Sequence, residues 1–131
     1  MDANLARENL LDHFENPRNK GVLAQADRAH KLANPICGDQ VSLTLAITAE
    51  TISQIMFEGR GCVISQAAAS MLTEAVQGMS LSEACAMDGQ MVLDMIGVPL
   101  SATRVKCALL SLETLKRALG CERTAPPATT G

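Results

Sequence analysis

The chain has 131 residues, a formal net charge of −3 and a hydrophobic content of 47%, which predict one globular domain with its own core. Only Phe14 and Phe57 are aromatic, so the core is expected to be aliphatic. An acidic balance without a basic stripe argues against nucleic-acid binding. The sequence shows no leader peptide and no apolar run of membrane-spanning length, so we expect a cytoplasmic protein without a membrane partner.

Five cysteines stand at positions 37, 62, 85, 107 and 121. In a reducing compartment they are expected to be metal ligands, reactive thiols or core residues and not a disulfide framework. We expect Cys85 in the core and Cys121 as an exposed thiol at the start of a tail. The predicted organisation is therefore a domain over residues 1–120 and a disordered tail over 121–131.

The spacing of apolar residues, together with cap and turn signals, predicts the order of helices and strands. Helices are expected over 5–14, 63–77, 81–87, 90–96 and 102–119. Strands are expected over 28–33, 41–47 and 52–57. The last two strands are joined by a short link and should form a hairpin. His13 falls near the end of the first helix, where we expect a surface or capping histidine.

Residues 57–74 run from the end of a strand through a loop into an Ala-rich helix that starts at Cys62. Gly59 and Gly61 allow the sharp turn that precedes the helix. A thiol in the first turn of a helix faces unpaired N–H groups and the positive end of the helix dipole. Both favour the thiolate, which attacks sulfur and binds metal. A lone cysteine here would more often be a core residue, so the positions of the other cysteines decide the interpretation.

The predicted hairpin brings two of these cysteines together. If its turn is centred between Ala49 and Glu50, Cys37 lies opposite Cys62 at the open end. Asp39 lies two residues after Cys37 in extended chain and therefore points to the same side. The hairpin thus predicts two thiols and a carboxylate in one place.

Cys107 is a third candidate, in the first turns of the last predicted helix. Its neighbours Arg104 and Lys106 are basic and favour its thiolate. Thiolates suit iron–sulfur clusters and zinc, both of which accept tetrahedral, sulfur-rich coordination. With Asp39 as a harder and weaker fourth ligand, the predicted site can open or exchange its contents.

Four segments resemble the IscU/SufU/NifU N-terminal family of iron–sulfur cluster assembly proteins. They are residues 15–19 (ENPRN), 34–39 (NPICGD), 59–65 (GRGCVIS) and 104–108 (RVKCA). The resemblance implies an α+β fold with a small three-stranded antiparallel sheet packed against four to six helices. It also implies that Cys37, Asp39, Cys62 and Cys107 hold the cluster or metal. Sulfur would then arrive as a persulfide from a cysteine desulfurase, with Cys62 or Cys107 as acceptor.

Three functions stay open at this point. The first is a scaffold that builds a transient 2Fe–2S cluster and passes it to apo iron–sulfur proteins. The second is a SufU-type, zinc-dependent sulfurtransferase, since the motifs around Cys37 and Cys107 are closer to SufU. The third is a small zinc-stabilised interaction module without sulfur chemistry, whose unfolding should follow the loss of its metal.

The chain also departs from the family pattern. Lys106 stands where IscU and NifU members carry a histidine, and an ammonium cannot ligate metal while it is protonated. Lys106 is either an electrostatic support for an anionic persulfide or a solvent-facing lysine. Residues 97–103 (GVPLSAT) replace the LPPVK chaperone segment, so a heat-shock chaperone partner is doubtful. The step from Cys62 to Cys107 is too short for the insertion that SufU members carry, which makes the chain a hybrid.

Overall fold

The computed structural model describes residues 3–35 and 38–121. Its helices are α1 (Ala3–Glu15), α2 (Val63–Val76), α3 (Leu81–Ala86), α4 (Gly89–Ile96) and α5 (Ala102–Leu119). Its strands are β1 (Arg28–Asn34), β2 (Asp39–Thr48) and β3 (Thr51–Arg60). The predicted α+β fold, with a three-stranded sheet and five helices, is confirmed. No helix among the described residues is long and apolar enough to cross a membrane.

The sheet is antiparallel in the order β1-β2-β3, and its hairpin contains a bulge. Thr48 pairs with Thr51, as the predicted turn requires, but the register shifts between Ala46 and Ile47. Ser53 is the extra residue, and its hydroxyl donates to the carbonyl oxygen of Ala46 at 3.0 Å. Such a bulge moves every later pair by one position. The predicted register is therefore right at the turn and one residue off at the open end.

The core lies between one face of the sheet and the helices α2 and α5. Val41, Leu43 and Leu45 alternate along β2 and are fully buried. Residues 67–69 of α2 are alanines with no exposed surface, and their small side chains let the helix come close to its neighbours. This packing holds the N-terminal ends of α2 and α5 next to the open end of the β2–β3 hairpin.

His13 is buried, which corrects the expectation of a surface or capping residue. Its Nδ1 lies 2.8 Å from the Oγ of Ser70, and that oxygen accepts the N–H of Arg18 at 2.9 Å. On the other side of the ring, Nε2 lies 3.8 Å from a carboxylate oxygen of Glu74. Burial and then the charge of Arg18 lower the pKa of His13, while Glu74 and Asp12 oppose them. The neutral ring therefore fastens α1 to α2.

We expect the free energy of unfolding to fall as the pH drops below about 6.5, the ordinary pKa of histidine. The unfolded chain takes up a proton there, whereas the folded chain takes one up only at lower pH, so protons favour unfolding. The loss should level off below the folded-state pKa. Urea unfolding at a series of pH values between about 5 and 8 measures how the free energy of unfolding depends on pH. His13→Gln should flatten the dependence and His30→Gln should keep it; an unchanged slope in His13→Gln would contradict the assignment.

Cys85 and Cys121 form a disulfide between the last turn of α3 and the residue that follows the cap of α5. This corrects the expectation of a core thiol at Cys85 and an exposed tail thiol at Cys121. Gly120 turns the chain with a φ of +67°, and the N–H of Cys121 then donates to the carbonyl of Lys116 at 3.0 Å. The rest of the predicted tail, 122–131, lies outside the described residues.

Candidate metal centre

Three of the four predicted ligands meet at the open end of the hairpin. Asp39 begins β2, Cys62 is the N-cap of α2, and Cys107 lies in the second turn of α5. One ligand atom from each lies within 4.8 Å of the others. Asp39 and Cys107 are buried, and Cys62 is half-buried. The fourth predicted ligand, Cys37, lies outside the described residues.

Asp39 ties the hairpin to the start of α2. One carboxylate oxygen accepts the backbone N–H of Cys62 at 2.8 Å, and the other lies 3.4 Å from the thiol sulfur of Cys62. The same sulfur accepts the N–H of Ser65 at 3.5 Å. Gly61 makes this possible, because its φ is +142° and a Cβ there would overlap the Asp39 carboxylate. The carboxylate therefore occupies space that only glycine leaves open.

Arg104 joins the two thiols electrostatically. It lies one turn before Cys107 on α5 and lines the same groove as Cys62. The negative charge of Cys62 is the main influence that raises the pKa of Arg104; burial opposes this rise, and Cys107 adds to it. Arg104 thus places a fixed positive charge beside both cysteines. The sequence placed Arg104 near Cys107, but its contact with Cys62 is a tertiary one.

Lys106, the residue that replaces the family histidine, takes a different position. Its side chain is exposed and lines a small cavity of about 130 Å³ with Asn34, Ala102 and Thr103. Lys106 is therefore near the site but outside the set of converging ligand atoms. Its predicted electrostatic role stays a prediction.

A groove of about 560 Å³ leads to the site. Its walls are mainly apolar and come from Phe14, Val63, Ile64, Pro99 and Leu100. Cys62 and Arg104 also line this groove, whereas Cys107 does not. A reagent that enters the groove can thus reach the sulfur of Cys62 beside a fixed positive charge, while the sulfur of Cys107 is covered.

The chemistry and spacing of the donor atoms fit a single tetrahedral ion. Zinc–sulfur bonds of about 2.3 Å place neighbouring ligand atoms about 3.8 Å apart, and the three atoms here lie within 4.8 Å. Small side-chain rotations would close that difference. Two thiolates and one carboxylate leave one position of a tetrahedron to be filled, which is the position predicted for Cys37.

Fold and site together define a small α+β domain with a sulfur-rich candidate metal site at one end. The chain belongs to the NifU-like N-terminal domain family, whose family model it matches over residues 5–123. The family resemblance inferred from the four motifs is thus confirmed. The assignment of individual site residues stays a prediction.

The chain has relatives of both classes predicted from the motifs, the zinc-dependent sulfurtransferases and the cluster assembly scaffolds. The zinc-dependent sulfurtransferase SufU of Bacillus subtilis is 36% identical, over 90% of this chain and 91% of the relative. The iron–sulfur cluster assembly scaffold protein IscU of Aquifex aeolicus is 37% identical, over 86% of this chain and 72% of the relative. A putative iron–sulfur cluster assembly scaffold protein for the SUF system, from Fervidobacterium islandicum, has a similar structure. It gives a TM-score of 0.74 at 28% identity, over 86% of this chain and 94% of that one.

Proposed function

We propose that this protein is an iron–sulfur cluster assembly scaffold of the cytoplasm. It accepts sulfur from a cysteine desulfurase, combines it with iron and with electrons from a reductant that convert persulfide sulfur to sulfide, and passes a 2Fe–2S cluster to apo acceptor proteins. The observation that carries the proposal is the convergence of Cys62, Cys107 and Asp39 at the end of an open groove that Cys62 and Arg104 line. The scaffold relatives support it, since their names describe this task.

The sulfur enters by thiol–persulfide exchange. The thiolate of Cys62 attacks the terminal sulfur of the donor persulfide; a new S–S bond forms on Cys62, and the bond to the donor cysteine breaks. The donor leaves as a thiolate, so no oxidant or reductant is consumed. Of the two described thiols, Cys62 is the first acceptor because it lines the groove, whereas Cys107 is fully buried. Arg104 stabilises the negative charge that moves between the sulfur atoms.

A zinc-dependent sulfurtransferase is the second candidate, and one observation favours it. The three ligand atoms lie within 4.8 Å of one another, which is close to the spacing of about 3.8 Å between neighbouring ligands of one zinc ion. Zinc bound by Asp39, Cys62, Cys107 and the predicted ligand Cys37 would keep the thiols deprotonated until a persulfide arrives. The 91% coverage of the Bacillus subtilis SufU relative is consistent with this function.

Metal and acid-labile sulfide analysis, with an absorption spectrum, tests the proposal on protein purified without added metal. Iron with matching sulfide, or a coloured cluster built from iron, cysteine and a desulfurase, supports the scaffold. About one zinc per chain without sulfide, as a single tetrahedral site requires, followed by persulfide transfer, supports the sulfurtransferase. Zinc that gives way to neither a cluster nor a persulfide would overturn both and point to the interaction module.

We expect Cys62→Ser to lose metal or cluster binding by at least about tenfold, because a serine hydroxyl is a much poorer soft-metal ligand than a thiolate. Persulfide formation with a desulfurase should be lost as well. Metal analysis and mass spectrometry of the cysteine peptides measure the two effects. Cys85→Ser is the matched control and should retain both, since Cys85 lies in the disulfide with Cys121. Equal losses in the two variants would contradict the assigned site.

A further inference from the structure

We propose that Cys85 and Cys121 form a reversible redox modification site that reacts with low-molecular-weight thiols and disulfides. Oxidation of this pair links α3 to the end of α5 and stabilises the segment that carries Cys107. The proposal is independent of the function of the metal centre, because it rests on two cysteines at another part of the fold. It needs only that both cysteines can pass between thiol and disulfide.

Each cysteine is held in position by local backbone structure. The helix α3 begins with a capping box, in which Ser80 and Glu83 satisfy each other's backbone N–H groups, and Cys85 lies in its last turn. Cys121 is positioned by the left-handed Gly120 and by its own N–H bond to Lys116. The two Cα atoms lie 5.6 Å apart, within the usual range for a disulfide. After reduction, α3 and the end of α5 therefore keep their own capping hydrogen bonds, and the two thiols remain opposite each other.

The pair is open to exchange and separate from the metal centre. Both cysteines are half-buried, so each residue is partly in contact with solvent, where a small thiol can approach. Cys121 lies roughly 20 Å from Cys107 along α5, at 1.5 Å per helical residue. Oxidation or reduction of this pair thus leaves Cys62 and Cys107 available for their own chemistry.

The reaction needs one oxidant, for which glutathione disulfide is a suitable class. The thiolate of one cysteine attacks a sulfur of the glutathione disulfide, forms a mixed disulfide and releases one glutathione. The second cysteine then attacks the protein sulfur of that mixed disulfide and releases the other glutathione. Two protein thiols and one glutathione disulfide give one protein disulfide and two glutathiones, and excess glutathione reverses both steps.

The cross-link should stabilise the fold appreciably. Its two cysteines are 36 residues apart, and the enclosed segment includes α4 and all of α5. Closing a loop of this length removes conformational freedom mainly from the unfolded chain. The oxidised form is therefore expected to melt about 10 °C above the reduced form, given the usual entropy of unfolding for a domain of this size.

The test equilibrates the full chain in buffers with a range of glutathione to glutathione disulfide ratios. Thiols are then blocked, the peptides are mapped, and thermal melts are recorded for each mixture. We expect one transition in which only Cys85 and Cys121 become paired, with the melting temperature rising alongside. Cys85→Ser and Cys121→Ser should each abolish the rise, whereas Cys62→Ser should retain it.

Either of two results would overturn the proposal. One is wild-type protein in which Cys85 and Cys121 are not paired at any glutathione ratio. The other is a pair that oxidises without a change in melting temperature. Both results come from the wild-type chain and do not depend on a variant that folds. Neither bears on metal binding or persulfide transfer, so failure here is distinct from failure of the proposed function.

Discussion

Gly61→Ala is expected to weaken zinc binding by at least about tenfold, with a fall of several degrees in melting temperature. Gly61 adopts a φ of +142°, and a Cβ there would overlap an oxygen of Asp39 and lie 2.7 Å from its Cγ. The new methyl group must displace the carboxylate, and it also presses on the backbone of Asp39, whose Cα would lie 2.9 Å away. Asp39 would then lose the N–H of Cys62 and leave the ligand set. Each lost charged hydrogen bond is worth about 1.5–3 kcal/mol, which corresponds to tenfold or more.

Gly78→Ala separates this effect from backbone strain. Gly78 also has a positive φ, +94°, but a Cβ there has nothing within 4 Å. The Gly78→Ala variant should therefore have a lower melting temperature but an unchanged affinity for zinc. Competition with a chromophoric chelator measures the affinity, and a thermal melt measures the stability. If Gly61→Ala binds zinc as tightly as Gly78→Ala does, Asp39 does not belong to the site.

Arg104→Gln is expected to slow the alkylation of Cys62 by the anionic reagent iodoacetate severalfold at neutral pH in metal-free protein. The thiolate is the reacting form, and the variant removes the fixed positive charge that lines the groove beside Cys62 and attracts an anionic reagent. Persulfide acceptance from a desulfurase should slow in parallel, since it begins with the same thiolate.

Lys106→Gln is the matched control, because it removes one positive charge two residues along the same helix. Its side chain lies in a separate cavity beside Asn34, so the rate should change little. Arg104→Lys should recover only part of the rate, because the compact and strongly hydrated ammonium of lysine does not reproduce the planar, weakly hydrated guanidinium. If Lys106→Gln slows alkylation as much as Arg104→Gln does, the predicted electrostatic role of Lys106 is confirmed. The conclusion that Arg104 is the main positive charge acting on Cys62 is then wrong.

The sequence by itself determined the elements and most of the helix ends, because those depend on neighbouring residues. The strands β2 and β3 extend up to three residues beyond the predicted 41–47 and 52–57. The predicted helices 63–77 and 102–119 begin where the side chains of Cys62 and Ser101 accept the N–H three residues on. The predicted helices 90–96 and 102–119 end where Gly97 and Gly120 adopt left-handed conformations. The motifs around the cysteines also sufficed to identify the family. All of these features follow from local hydrogen bonding and local backbone freedom.

The tertiary structure decided which distant side chains meet. The bulge at Ser53 depends on pairing between two strands, and the burial of His13 depends on the docking of α1 against α2. The contact of Arg104 with Cys62, like the Cys85–Cys121 disulfide, forms only when α5 packs beside α2 and α3. The residues of each pair are far apart in the chain. The spacing of residues along the sequence does not predict how the helices pack against one another. The site's chemistry therefore came from the sequence, and its geometry from packing.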